Sequence, residues 1–161
     1  GYMSRYPISL IPATAPKSKG VKAMNLVEDQ VCSACIYHND TAQLLVISDT
    51  GAMKRLKMSD IDLTGRPVKG NMICKKVKSK PYQIAVIKLF DIQQEFSVKA
   101  QENYPLNMKD ISLMSREATF SQPLGTLQDF YIEQGIQTIE QIEIPAQTEK
   151  TVGFEEMNLE L

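Results

Sequence analysis

The stretch from Gly51 to Gly70, GAMKRLKMSDIDLTGRPVKG, occurs twice, because residues 1–20 read GYMSRYPISLIPATAPKSKG. At a fixed offset of 50 the copies share Gly1/Gly51, Met3/Met53, Arg5/Arg55, Ser9/Ser59, Ile11/Ile61, Thr14/Thr64, Lys19/Lys69 and Gly20/Gly70, eight matches in 20 without a gap. A weaker third copy follows, in which Leu106, Met108, Asp110, Ile111, Leu113 and Arg116 repeat Leu56, Met58, Asp60, Ile61, Leu63 and Arg66. A fixed period of this length means that one supersecondary unit is stacked on itself, with each unit burying an apolar face against its neighbours.

Each unit reads as short strands. Leu44–Ser48 is a dense β-branched run, Asp49-Thr50-Gly51 offers a hairpin loop with glycine free to take φ > 0, and AMKRLKM alternates again. On the returning strand Lys54, Leu56 and Met58 point one way and Met53, Arg55 and Lys57 the other, so one face carries two adjacent cations. Thr64–Gly70, with its counterpart Thr14–Gly20, is a loop by its glycine and proline content. Further strands are expected at 72–78 and at 82–90, the most apolar segment, expected in the middle of its sheet; 21–27 and 31–37 are their counterparts in the first unit. Gly1 matches Gly51, so the sequence opens in the middle of a unit, as a fragment cut at a turn would.

The third unit goes out through EFSVKA from Glu95, turns at Gln101-Glu102-Asn103 and returns through YPLNMKDISLMSR. It keeps the apolar pattern and loses charge: Arg55 and Lys57 become Pro105 and Asn107, and Lys69-Gly70 becomes Thr119-Phe120. Ile132, Ile136, Ile139 and Ile142 fit either a helix face or a strand, and register with 82–90 favours strand. Residues 145–161 are polar and acidic, and a loose tail is expected.

Composition adds one decisive fact. The formal net charge is only −1, yet residues 1–80 carry 13 Lys or Arg against 6 Asp or Glu, a net of +7, while residues 81–161 carry 5 against 13, a net of −8. Such segregation points to a polyanion partner for the first half. No apolar run approaches the roughly 20 residues of a membrane span, and the first residues have neither a basic start nor an apolar signal core, so a soluble intracellular chain is expected. Three cysteines, an odd number without framework spacing, argue against a disulfide-stapled fold.

Chemistry-bearing motifs are sparse. Cys32-x-x-Cys35 with His38 and Cys74 has the residue types of a zinc site, but Cys32 and Cys35 fall in an apolar strand pattern and core packing is the expectation. The sequence has no phosphate-binding loop, no metal-carboxylate spacing and no Ser/His/Asp order, so no catalytic and no metal residue is assigned. A unit of about 50 residues and four short strands has the size of a propeller blade, yet with no tryptophan it carries no WD signature, and no paired-glycine Kelch pattern is present.

The run LLVISDTGAMKRLKMSDIDLTGRPVKG resembles a blade of the C-terminal domain of the A subunit of bacterial type IIA topoisomerases, DNA gyrase and topoisomerase IV. The resemblance covers residues 1–144 and is strongest over 44–70. It implies an all-β, propeller-like β-pinwheel, a partial ring with blades at about 1–43, 44–93 and 94–144, whose neighbours exchange strands and whose basic rim binds and bends duplex DNA. In gyrase the signature box reads Gln-Arg-Arg-Gly-Gly-Lys-Gly; here Thr14–Gly20 and Thr64–Gly70 keep the final Lys-Gly and the second also keeps Arg66. That departure moves the resemblance from gyrase towards topoisomerase IV, with the gyrase wrapping domain as the alternative. It implies a chain without catalytic activity or cofactor of its own. The implied parent is cytoplasmic and chromosome-associated, an A-type dimer working with a separate ATPase partner of the B type, where ATP and magnesium act.

The residues agree with a phosphate-holding role. Lysines beside glycine loops can approach phosphates and displace counterions, which gives affinity that falls steeply with salt. Lys17, Lys19, Lys22, Arg66 and Lys69 lie at such loops, Lys54, Arg55 and Lys57 on the adjoining strand, and Lys75, Lys76 and Lys78 form a second stripe. Groups of this kind position a backbone and read no base. A competing expectation is a propeller whose basic face binds an acidic protein. The tail glutamates Glu149, Glu155, Glu156 and Glu160 could compete for the same rim or serve only as a solvated terminus.

Overall fold

The computed structural model describes residues 1–38, 41–75, 77–79 and 82–134. Among them there is no α-helix. The strands are β1 (Tyr2–Met3), β2 (Gln43–Ser48), β3 (Met53–Lys57), β4 (Asn71–Met72), β5 (Ile84–Phe90), β6 (Glu95–Lys99), β7 (Asn103–Asn107) and β8 (Tyr131–Gln134). They form three antiparallel sheets, β1-β4, β3-β2-β5 and β7-β6-β8.

The repeat is visible in the backbone at its turns and returning strands. β3 and β7 start and end 50 residues apart, and three single 3-10 turns lie at Ile8–Leu10, Met58–Asp60 and Met108–Asp110. Each turn closes when the amide of the following isoleucine, Ile11, Ile61 or Ile111, donates to the carbonyl three residues back. The β2-β3 hairpin turns at Gly51, whose φ of +77° belongs to the left-handed region that glycine enters without a Cβ penalty. Leu127 also packs on that glycine, so a Cβ there would lie 2.8 Å from the leucine side chain.

Neighbouring units are joined by a shared strand edge. The returning strand β3 has its hairpin partner β2 on one side and the connecting segment of the third unit on the other, and β1 meets the connecting segment of the second unit in the same way. Met3 pairs with Asn71 and Arg5 bridges Leu63; one period on, Met53 bridges Ser121 and Arg55 bridges Leu113. The bonds are regular backbone ones: Thr64 N–H donates to Arg5 O at 2.8 Å, and Met114 N–H to Arg55 O at 2.9 Å.

This arrangement explains why β2 is apolar without a break from Leu44 to Ile47 while β6 alternates. Leu44, Leu45, Val46 and Ile47 are all fully buried. Leu44 and Val46 pack in a core with Leu56, Met58, Ile61 and Ile73, whereas Leu45 and Ile47 pack in a second core with Met53, Phe90, Phe96, Val98, Met108 and Ile111. The middle sheet therefore separates two cores and needs apolar residues on both faces. In β6 only Phe96 and Val98 are buried, the one-faced alternation of a strand with a single core.

Several strand expectations are corrected. β5 starts at Ile84, not at residue 82, and lies at an edge of its sheet; the fully buried β2 is central. The expected strand at 72–78 shrinks to β4, because beyond Met72 the chain bends at Cys74 and leaves the edge of β1. Segments 21–27 and 31–37 form no strand: apart from the Met24–Val68 bridge they join no ladder among the described residues, and Val27 and Ile36 stand 83% and 69% exposed. Without a neighbour to take its amides and carbonyls, a β-prone run gains nothing from strand geometry. The run at Ile136–Ile144 and the acidic tail lie outside the described residues.

Candidate nucleic-acid interface

The expected cations divide into two groups. Lys17, Lys19 and Lys22 are exposed on the first-unit loop, where Ser18 N–H closes a turn on Ala15 O and Gly20 takes a φ of +72°. Lys57, Lys69, Lys75 and Lys78 are also exposed, and Lys76 lies outside the described residues. A loop of this form presents ammonium groups and a backbone without Cβ at the same point.

Lys54 and Arg55 belong to the other group, and their placement corrects the expectation of an outward cationic strand. Lys54 has no exposed surface and Arg55 is 8% exposed, because the connecting segment of the third unit lies along β3. The Lys54 Nζ donates to the carbonyls of Arg116 and Ala118, at 2.9 and 3.0 Å, and sits 5.0 Å from the centre of the Phe120 ring. Burial pushes its pKa below the usual lysine value, an effect partly offset by nearby Cys74. Arg55 keeps Nε and Nη1 buried with no hydrogen-bond partner among the described residues.

Arg66 stands between the groups. It is half-buried, donating Nε to Leu10 O at 2.9 Å and Nη1 to Lys22 O at 2.7 Å. Asn25 continues the contact, its amide donating to Val68 O at 3.0 Å and its Nδ2 to Pro67 O at 3.0 Å. Lys69 completes the seam with its Nζ 4.1 Å from the centre of the Tyr2 ring. The fold thus brings Lys22, Arg66 and Lys69 to one seam between the first two units. Lys57, Lys75 and Lys78 are exposed elsewhere along the second unit.

Sequence reasoning passed over Arg116, the period-mate of Arg66. Its Nη1 reaches the carbonyl of Asp60 at 3.5 Å and the carboxylate of Asp62 at 3.4 Å, and Asp60 is itself the period-mate of Leu10. The signal was present in the Arg66/Arg116 match. Gly70, which in the sequence stands out only as half of a Lys-Gly pair, has a structural task as well. It has a φ of +82°, and a Cβ on it would lie 2.2 Å from Met3 O, so it admits the backbone of the preceding unit.

Cys32 and Cys35 are exposed, not core residues, because segment 31–37 forms no strand to bury them; Cys74 is the buried one. Among the described residues no three His, Cys, Asp or Glu side chains gather as metal ligands. Nor is any helix among them long and apolar enough to cross a membrane.

Residues 1–39 and 42–80 match the family described as DNA gyrase C-terminal domain, beta-propeller. The A subunit of DNA topoisomerase 4 from Streptococcus pneumoniae serotype 4 is 27% identical over 146 residues, an alignment that takes in 80% of this chain and 18% of that protein. Its namesake from Staphylococcus epidermidis is 28% identical over 91 residues, 55% of this chain and 11% of that one. The chain thus spans less than a fifth of the length of these relatives. In fold it matches the crystal structure of the C-terminal domain of DNA topoisomerase IV, with a TM-score of 0.75 and 19% identity over 83% of this chain and 44% of that one.

Proposed function

We propose, from the match of residues 1–39 and 42–80 to the DNA gyrase C-terminal domain family, that the chain works as the C-terminal domain of a topoisomerase IV A subunit, holding and bending duplex DNA. The observation that carries the proposal is the loop at Lys17–Lys22, where three exposed ammonium groups surround a left-handed glycine beside the Arg66 seam. Lysines so placed neutralise phosphates and release counterions without reading bases. Lys57, Lys69, Lys75 and Lys78 extend the positive surface. The third unit contributes structure.

In the parent, the domain presents a DNA segment to a catalytic core that performs ATP-dependent strand passage, relaxing supercoils and separating linked duplexes. The catalytic tyrosine chemistry, ATP and magnesium belong elsewhere in that assembly, an A-type dimer working with its B-type ATPase partner in the cytoplasm. The fragment alone is non-catalytic. The topoisomerase IV assignment is favoured over gyrase by the names of the relatives and by the incomplete signature box at Thr64–Gly70.

Duplex affinity measured between about 50 and 200 mM salt tests the reading. The expected result is a log–log slope near about −5, reflecting several phosphate contacts at about −0.9 each, with similar slopes for unrelated sequences. Absence of duplex binding at low salt, with binding to polyglutamate instead, would replace it with an acidic-protein partner.

A further inference from the structure

We infer that Arg66, the arginine at the signature-box position of the second unit, is a positioning residue that clasps the second unit to the first and thereby sets the bend imposed on DNA, and makes no phosphate contact itself. The inference rests on the DNA-holding function proposed above and adds a division of labour within its basic surface.

The geometry is that of a clasp. Nε and Nη1 of Arg66 go to carbonyls on two segments of the first unit, one at its 3-10 turn, Leu10, and one past its glycine loop, Lys22. A guanidinium donates from separate nitrogens fixed in one plane, whereas an ammonium donates from a single rotating point on a flexible stem. The pattern is periodic: Arg116 reaches back to the corresponding carbonyl of the second unit's turn, Asp60. In the third unit Lys57 gives way to Asn107 and Lys69-Gly70 to Thr119-Phe120, yet the arginine persists. An arginine kept for phosphate would be expected to leave with the other cations; one kept for the joint would stay.

The consequence is mechanical. Lys17, Lys19 and Lys22 ride on the first unit and Lys69 on the second. The angle at the joint therefore sets the angle between two groups of phosphate contacts. A duplex bound across both must follow it, and bending that is rewarded only by simultaneous contacts is sensitive to small changes in their relation.

The test compares Arg66→Ala, Arg66→Lys and Lys19→Ala. Three quantities are read: amide exchange of Asn25, the salt slope of duplex binding, and the end-to-end distance of a bound, doubly labelled duplex. A clasp predicts that both Arg66 variants speed exchange at Asn25 by about tenfold, the scale of losing a charge-assisted bond. It predicts a straighter bound duplex in both variants and a salt slope within about 0.3 of the parent value, whereas Lys19→Ala lowers the slope by about 0.9 and leaves Asn25 exchange unchanged. If Arg66→Lys restores the bend while Arg66→Ala costs a full phosphate contact in slope, Arg66 touches DNA and the inference fails. Unchanged Asn25 exchange in both variants also overturns it, and that readout needs no DNA. Failure of every protein to bind duplex, with Asn25 exchange still accelerated, would instead remove the DNA-holding function and with it the bend-setting role, leaving only the joint.

Discussion

The two joints between units use the same backbone plan and opposite side-chain chemistry. At the first joint the later unit supplies the cation: Lys69 lies over Tyr2 of the earlier one. At the second the earlier unit supplies it, since Lys54 lies over Phe120 of the later one. The swap follows from two positions one period apart. Ser4 and Gly70 leave room for bare backbone contact; Lys54 and Phe120, at the matching places, fill it. The first joint therefore keeps its charge at the surface, where it can meet a ligand, and the second buries its charge as a structural group. A similar sequence of cations thus has different functional value according to what the next unit lays over it.

The sharpest way to break this comparison is at the two glycines. Gly70→Ala should destabilise the protein by about 3 kcal/mol or more, since it adds left-handed strain to a collision with Met3 O. Gly20→Ala has the same backbone sign but open space around it, and should cost only about 1 kcal/mol. Chemical denaturation of both variants checks the pair; equal losses would mean that close approach to Met3 is not what Gly70 provides.

The lysines come next. Lys54→Ala leaves two carbonyls without their donor and opens a void beside Phe120, so a loss of about 2–3 kcal/mol is expected. Lys69→Ala, at an exposed site, should change stability by less than about 1 kcal/mol and act mainly on duplex affinity. The smallest effect concerns pH. Because burial lowers the Lys54 pKa below the ordinary 10.5, the unfolded chain retains a proton that the folded chain has released anywhere between the two values. Stability then rises with pH across that window. Lys54→Met should flatten the rise in alkaline titrations of unfolding; an unchanged profile would show that Lys54 is not its source.

Much of this architecture was legible in the sequence, and the misses share one cause. Local pattern located the β2-β3 and β6-β7 hairpins, Gly51 at the turn, and the period linking Met58 to Met108, because strand alternation and turn chemistry are properties of a few adjacent residues. The side to which each β3 residue points was also legible. What covers that side was not: Lys54 faces inward because residues 112–121 of another unit lie along its strand, a fact no window around Lys54 contains. The same holds for 31–37, which has strand-like residues and touches β5 only through the Ser33 hydroxyl on Ile87 O, joining no ladder among the described residues, and for Cys32 and Cys35, which stay exposed there. The Arg66/Arg116 match is visible in the sequence, whereas the carbonyls of Leu10 and Asp60 that they reach are set by the neighbouring unit.

The central claim is that DNA is held by exposed lysines of the first two units while the third supplies structure. It is tested most directly by the salt dependence of duplex binding for Lys17→Ala/Lys19→Ala/Lys22→Ala against Lys99→Ala/Lys109→Ala in the third unit, with both proteins confirmed folded. The account predicts that the first variant loses about 2.7 from the magnitude of the slope and the second less than about 0.5. Equal losses, or a larger loss from the third-unit pair, would contradict it.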